Sequence, residues 1–313
     1  MPLIIPQDIP AFGVLQNENI FVMSSRRAQR QDIRPIEIAI FNLMPTKIQT
    51  ESQLLRLLAN SPLQVKITFI TTQTYASKNT PKTHLERFYE TFDRLKNRYF
   101  DGMIITGAPI ETMAFEEVAY WDEFKEILDF AQTHVNSTLY ICWGAMAGLY
   151  YHYGIQKYSL ENKAFGVFSH TKCADVLFTG CDDEIAIPHS RHTGVDEVAI
   201  LRCEKLRILC QSDAVGAGII KSCDNKKIFI IGHLEYDKDT LKNEYERDKA
   251  KGLAIQKPKN YFDTTGNIRA NWKAGASLIF SNWLNHYVYQ ITPYNITSLS
   301  IQSQHSPGND HSP

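Results

Sequence analysis

Four short apolar runs, separated by stretches with helical spacing, constrain the fold of this chain more than any other feature. Ile36-Glu37-Ile38-Ala39-Ile40-Phe41-Asn42-Leu43 reads as a strand, and so do Val65-Lys66-Ile67-Thr68-Phe69-Ile70, Gly102-Met103-Ile104-Ile105-Thr106 and Thr138-Leu139-Tyr140-Ile141. Between them, a helix starting at Pro45-Thr46-Lys47 puts Leu54, Leu55, Leu57 and Leu58 on one face. A second, over about 83–96, carries Leu85, Phe88, Phe92 and Leu95, and a third, over about 121–135, carries Phe124, Ile127, Leu128 and Ala131. This alternation predicts an α/β fold with a mostly parallel central sheet and helices on both faces. The second half reads differently. Short strands at Val198–Arg202, Arg207–Cys210, Ala217–Ile220 and Lys227–Ile231 predict a partly antiparallel extension, closed by a helix over about 272–289. Residues 1–34 have no strong periodicity and read as an N-terminal arm, residues 35–296 as one domain. Residues 297–313, rich in Ser, Gln, His, Pro and Gly, read as a disordered tail.

Composition narrows the partners. The formal net charge of −1, with no basic or acidic block, argues against nucleic acid or an anionic membrane. No apolar run approaches the roughly 20 residues a membrane helix needs. The start, Met1-Pro2-Leu3-Ile4-Ile5-Pro6-Gln7-Asp8, lacks the basic and apolar regions of a signal peptide, so a cytoplasmic location is expected. Cysteines stand at 142, 173, 181, 203, 210 and 223, with no Cys-x-x-Cys pair and no His at zinc-ligand spacing; no metal is expected. In a reducing compartment no disulfide framework is expected either.

In a parallel α/β sheet, ligands bind beyond the carboxyl ends of the strands. Two loops there carry chemistry: Thr106-Gly107-Ala108-Pro109 and Cys142-Trp143-Gly144. The pentapeptide Cys142-Trp143-Gly144-Ala145-Met146 follows an apolar strand and precedes Ala147-Gly148-Leu149-Tyr150-Tyr151, which reads as a helix start, so Cys142 is flanked by small residues at a strand-to-helix turn. That is the arrangement of a nucleophile elbow, in which a helix N-terminus favours a thiolate, the reactive form. Read alone, Cys142 fits a buried core thiol equally well. His233 and Glu235 follow the apolar strand Phe229-Ile230-Ile231; two residues apart on extended backbone, they would face the same side. A His can activate a thiol, and a carboxylate can orient that His. The N–H groups of the Gly107-Ala108 loop and of Trp143 can form an oxyanion hole, although a plain turn at Gly107-Ala108-Pro109 is the simpler reading.

Several blocks of the chain resemble one family: Asn19-Ile20-Phe21-Val22-Met23, Asn42-Leu43-Met44-Pro45-Thr46-Lys47, Thr106-Gly107-Ala108-Pro109, Val118-Ala119-Tyr120-Trp121, Cys142-Trp143-Gly144-Ala145, Lys163-Ala164-Phe165-Gly166-Val167-Phe168, Pro188-His189-Ser190-Arg191 and Gly232-His233-Leu234-Glu235-Tyr236. Together, and in the same order, they resemble the homoserine O-acyltransferases of methionine biosynthesis, which have the class I glutamine-amidotransferase-like fold. The resemblance spans residues 1 to about 295. It implies a cytoplasmic homodimer with no cofactor, which moves an acyl group from acyl-CoA to the hydroxyl of L-homoserine. Cys142 would carry the acyl group, His233 would act as general base and acid, and Glu235 would orient it. Lys163, Ser190 and Arg247 match substrate-contacting positions, with Glu244 one helical turn before Arg247. Arg suits an α-carboxylate through its bidentate fork, and Glu244 would meet the α-ammonium. Without the resemblance, Glu244 and Arg247 read as a surface ion pair at i, i+3.

Residue 111 discriminates donors within the resemblance: succinyl-CoA users have Gly there, acetyl-CoA users Glu. This chain has Glu111. A carboxylate in an acyl pocket fills space and repels the distal carboxylate of a succinyl group. Acetyl-CoA is therefore the expected co-substrate and O-acetyl-L-homoserine the expected product. The alternatives are succinyl transfer, a glutamine amidotransferase or glutaminase with the same Cys, His and Glu, and a non-catalytic ligand-binding member of the fold.

Overall fold

The computed structural model describes the chain except for residues 1–2, 19, 21, 25–27, 29–33, 60, 76, 78 and 294–313. Its strands are β1 Leu3–Ile4, β2 Val22–Met23, β3 Ile36–Phe41, β4 Val65–Thr71, β5 Tyr89–Thr91, β6 Phe100–Ile105, β7 Val135–Ile141, β8 Lys157–Lys172, β9 Glu184–Val195, β10 Leu206–Ser212, β11 Gly216–Ser222 and β12 Lys227–Ile230. They form one sheet in the order β2-β1-β4-β3-β6-β7-β12-β11-β10-β8-β9, with β5 beside β4. From β2 to β12 every pairing is parallel. From β12 to β9 every pairing is antiparallel. The expected parallel sheet with an antiparallel extension is what the chain forms.

The central strands are covered on both faces, as parallel strands must be. All of β7 is buried, including Asn136, Ser137 and Thr138. The period of two sorts successive side chains into separate cores. Ile38, Ile40, Ile104, Leu139 and Ile141 face one core, with α1 (Pro10–Asn17), α2 (Lys47–Ala59) and α8 (Lys273–Asn282) over it. Ala39, Phe41, Met103, Ile105 and Tyr140 face the other, under α4 (Trp121–His134) and α5 (Trp143–Tyr153). Three further α-helices lie among the described residues: α3 Lys82–Phe88, α6 Glu197–Arg202 and α7 Thr240–Ala250.

Four segments differ from the sequence expectation. Residues 83–96 are not one helix: α3 ends at Phe88, and β5 pairs with β4 through Phe69↔Tyr89 before a 3-10 turn over Phe92–Arg94. The reason is that Leu85 and Phe88 pack on one core, whereas Phe92 and Leu95 pack on the other, which one short helix cannot do. Val198–Arg202, expected as a strand, lies in α6, capped by the Asp196 carboxylate accepting from the Ala199 N–H at 3.0 Å. Its Val198 and Leu201 are exposed, so their apolar character marked no core. Residues 1–34, expected as an arm, supply β1 and β2 to the sheet edge and pack Ala11, Phe12 and Leu15 of α1 into the core. Two-residue strands have too little pattern to read. The long hairpin β8–β9 was not expected at all, because the first half of β8 is mostly exposed and carries no alternation. The tail expected over 297–313 lies outside the described residues.

Burial also stores acid sensitivity. Desolvation pushes His152 down to about 3 and His170 to about 4, and pushes the fully buried His189 well below the ordinary histidine range. Unfolded, each takes a proton near pH 6.5. Their contribution is therefore complete above pH 6.5 and is lost as pH falls toward the folded values. His233, shifted upward, acts in the opposite sense, losing its contribution as pH rises. Between pH 6.5 and 5 His233 is protonated folded and unfolded, its contribution is constant, and the depressed histidines set the slope. The thermal midpoint should fall on moving from pH 7 to pH 5, with roughly two or three protons taken up on unfolding. A flat or rising midpoint across that interval would contradict the assignment of neutral buried imidazoles.

Candidate active site

Cys142 sits between β7 and α5 with φ 50° and ψ −115°. Positive φ on a residue with a β-carbon costs about 1–3 kcal/mol, and such strain persists only where neighbours enforce it. Here the Cys142 N–H is tied to Ile230 O at 2.8 Å, and its carbonyl accepts the Met146 N–H at 3.0 Å. Close approach enforces the rest. A β-carbon on Gly144 would lie 2.6 Å from Thr106 O, and one on Gly148 2.9 Å from the Tyr140 ring. The elbow read from the sequence is present.

His233 and Glu235 come together as expected, but by a different route. β12 ends at Ile230, and residues 233–236 form a turn rather than extended backbone. The His233 N–H bonds Pro188 O at 2.8 Å, its ring stacks on Tyr236 with centroids 4.2 Å apart, and its Nδ1 lies 2.6 Å from Glu235 Oε1. Cys142 also acts on the His233 ring, and Gly107 lies against both. All three groups are buried. Burial by itself would lower the His233 pKa. The Cys142 sulfur and the Glu235 carboxylate outweigh it and hold the ring well above the ordinary histidine range. The Gly107 loop closes the third side: a β-carbon on Gly107 would be 3.2 Å from Cys142 Cβ and 3.5 Å from His233 Cε1. Only a bare backbone leaves room for a ligand atom there.

One cavity of about 530 Å³ gathers most of the residues singled out from the sequence: Cys142, His233, Ala108, Glu111, Lys163, Ser190, Glu244 and Arg247 all line it. Glu235 stands behind His233, and Trp143 is buried at the start of α5. Glu244 is a hub, accepting from Lys163 Nζ at 2.7 Å and from Ser190 Oγ at 2.5 Å, with Arg247 Nη2 3.8 Å away. Its side chain is only 16% exposed, so Glu244 and Arg247 are not a solvated helix pair. Arg247 itself is half exposed and bonds Asp248 at 2.7 Å. Glu111 is held on the cavity wall: Oε1 accepts the His192 N–H at 2.7 Å, and Oε2 the Thr193 hydroxyl at 3.3 Å.

The blocks quoted above run from Asn19 to Tyr236, and the match to known proteins extends further. The homoserine O-succinyltransferase family model matches residues 2–294. The chain belongs to that family. Relatives in the homoserine O-succinyltransferase family carry the other donor's name: a homoserine O-acetyltransferase from Clostridium novyi is 56% identical over 299 residues, covering 94% of this chain and 99% of that protein. One from Lachnoclostridium phytofermentans is 54% identical over 301 residues, covering 95% and 100%. Among solved structures, a glutamine amidotransferase from Thermotoga maritima aligns with a TM-score of 0.54 at 12% identity, covering 81% of this chain and 98% of its own. Another, from Methylobacillus flagellatus, aligns at 0.52 and 11% identity, covering 81% and 95%. The fold is thus the amidotransferase-like one expected.

Two buried cations of this homoserine O-succinyltransferase family member escaped the sequence reading. Lys47, at the start of α2, is 5% exposed and donates to the Asn42 carbonyl; burial pulls it down to about 8, against the opposing pull of Glu51. Arg191 is 1% exposed and donates to His189 Nδ1 at 3.1 Å, to Thr193 O at 2.5 Å and to Val215 O, with no ion pair among the described residues. Both stand in motifs quoted above, Asn42–Lys47 and Pro188–Arg191. Their only local signal was a cation within an apolar or strand-like stretch. No helix of the described residues is long and apolar enough to cross a membrane.

Proposed function

We propose that this protein transfers an acetyl group from acetyl-CoA to the hydroxyl of L-homoserine through a thioester on Cys142. The observation that carries this reading is the relatives named homoserine O-acetyltransferase, at 54 and 56% identity over nearly their full lengths. The Cys142 thiolate attacks the donor carbonyl, and the oxyanion is met by backbone N–H groups of Gly107, Ala108 and Trp143. The tetrahedral intermediate collapses, the C–S bond to CoA breaks, and the His233 imidazolium protonates the leaving sulfur. The raised His233 pKa suits that acid step. The neutral ring then takes the proton of the homoserine hydroxyl, whose oxygen attacks the thioester carbonyl; Cys142 leaves as thiolate. Glu235 holds the His233 tautomer throughout.

The amino-acid end falls to the Glu244 hub. The carboxylate, already holding Lys163 and Ser190, takes the α-ammonium, and the half-exposed Arg247 takes the α-carboxylate. From the family resemblance we also carry over a homodimer, which sedimentation of the purified protein tests, and from the sequence a cytoplasmic location, which fractionation of cells tests. The competing glutaminase reading draws on the fold and on the same Cys, His and Glu. Intact mass separates the readings: acetyl-CoA should add one acetyl group to Cys142, homoserine should discharge it, and glutamine should leave the protein unmodified. Arg247→Lys keeps the charge and loses the planar fork. It should raise the KM for homoserine about tenfold, while acetylation of Cys142 proceeds at the wild-type rate. Equal slowing of acetylation would move Arg247 to the donor site.

A further inference from the structure

A second groove, of about 360 Å³, adjoins the catalytic cavity between β8 and residues 253–259, which follow α7. The two spaces share a wall: Lys163, His192, Asp248 and Leu253 line both. The groove is a fixed feature of the fold. Lys259 N–H bonds Phe165 O, and Val167 N–H bonds Lys259 O, both at 2.9 Å. Gly166 permits this contact with φ 146°; a β-carbon there would lie 2.3 Å from Lys259 O.

The walls have one charge sign to spare. From 249 to 259 the chain carries Lys249, Lys251, Lys257 and Lys259 and no acidic residue. Lys257 and Lys259 line the groove, are exposed, and have no ion pair among the described residues. The one carboxylate on the wall, Asp248, is engaged by Arg247 at 2.7 Å. Apolar surface lies beside the lysines: Leu253 is 58% exposed at the junction with the catalytic cavity, and Phe165 and Ile255 line the groove. A third cavity, of about 440 Å³, shares Met44 and Pro109 with the catalytic cavity. Its walls include Tyr75, Tyr120 and Val118, and the lysine there, Lys47, is committed to the Asn42 carbonyl.

An acyl-CoA has two unlike ends. The thioester must reach Cys142, whereas the nucleotide end carries several phosphate charges and a planar base, which need cations and apolar surface. On the reading of the preceding subsection, we propose that the groove between β8 and residues 253–259 binds the phosphorylated nucleotide end of the acyl-CoA, with Lys257 and Lys259 on the phosphates. The acyl-bearing arm then crosses Leu253 to Cys142. This path runs past Lys163, which also serves the amino-acid end. Donor and acceptor therefore occupy the same mouth in turn, which an acyl-enzyme route allows.

The test compares two donors in the first half-reaction, followed by intact mass: acetyl-CoA, and S-acetyl-pantetheine, which lacks the nucleotide. The Lys257→Gln/Lys259→Gln protein should need about tenfold or more acetyl-CoA for half-maximal acetylation. Its response to S-acetyl-pantetheine and its KM for homoserine should match wild type. Added salt should weaken acetyl-CoA use in wild type and much less in the variant. An unchanged requirement for acetyl-CoA overturns the location, and so does an equal rise for both donors, which would be a general distortion. A wild-type protein acetylated by neither donor overturns the acyl-CoA reading itself.

Discussion

Cys142→Ala should abolish acyl-enzyme formation and lower turnover by roughly 10⁴- to 10⁶-fold, the usual loss when a nucleophile that works as part of a unit is removed. His233→Ala should cost about as much, because the two act together, and the double variant should be scarcely worse than either. Glu235→Gln should cost less, since that carboxylate orients the ring without touching the substrate. The fold should survive all three. Alanine keeps the β-carbon of Cys142 and hence its strained φ of 50°, and loses only a sulfur that makes no ladder bond. Strain gives a second readout. Glycine adopts positive φ without penalty, so Cys142→Gly should be at least as stable as Cys142→Ala, the opposite of the order of the two residues inside a helix. Both would be inactive. Near-normal turnover by Cys142→Ala would remove the nucleophile assignment; a Gly variant much less stable than the Ala variant would mean the elbow is not strained.

How much of this was legible beforehand depended on how local each signal was. The parallel half was readable because its strands are buried on both faces and its helices present continuous apolar faces, as with Leu54, Leu55, Leu57 and Leu58. Cys142 was readable because an elbow needs small residues where backbone meets backbone, and Gly144 and Gly148 stand at those contacts. His233 and Glu235 do meet, but a turn, and not the strand alternation expected, brings them together. Lys163 and Ser190 come from the two strands of the β8–β9 hairpin, and Glu244 and Arg247 from α7, where Glu244 is 54 residues beyond Ser190. Nothing local in the sequence joins them, and only the family resemblance did. Lys47 and Arg191 were missed because burial of a cation is decided by what packs around it. The hairpin β8–β9 hid for the converse reason, as its exposed half obeys no burial pattern.

Glu111→Gly should shift donor preference toward succinyl-CoA by about a hundredfold or more in the ratio of kcat/KM values. In wild type a succinyl carboxylate entering the cavity meets the Glu111 carboxylate on its wall, a like-charge contact that can cost several kcal/mol when partly desolvated. Each ~1.4 kcal/mol is tenfold in rate ratio, so relief of even half of such a conflict reaches the stated shift. The hydrogen bonds argue for more than relief. The His192 N–H and the Thr193 hydroxyl that hold Glu111 are left without it in the glycine variant, pointing at the space it vacated. Those same donors fit the distal carboxylate of a succinyl group, so Glu111 stands where that carboxylate would otherwise bind. Acetyl transfer should fall less, because a methyl group uses neither donor. The loop itself should hold, since Lys157 Nζ anchors it through the backbone carbonyls of residues 111 and 113, which the substitution leaves in place. The measurement is kcat/KM for both donors at saturating homoserine, in wild type and variant. An unchanged ratio would mean that residue 111 does not face the acyl group. A wild type that already prefers succinyl-CoA would overturn acetyl transfer and leave the Cys142–His233–Glu235 assignment untouched, because the donor's tail and its reacting carbonyl are read by different walls of the cavity.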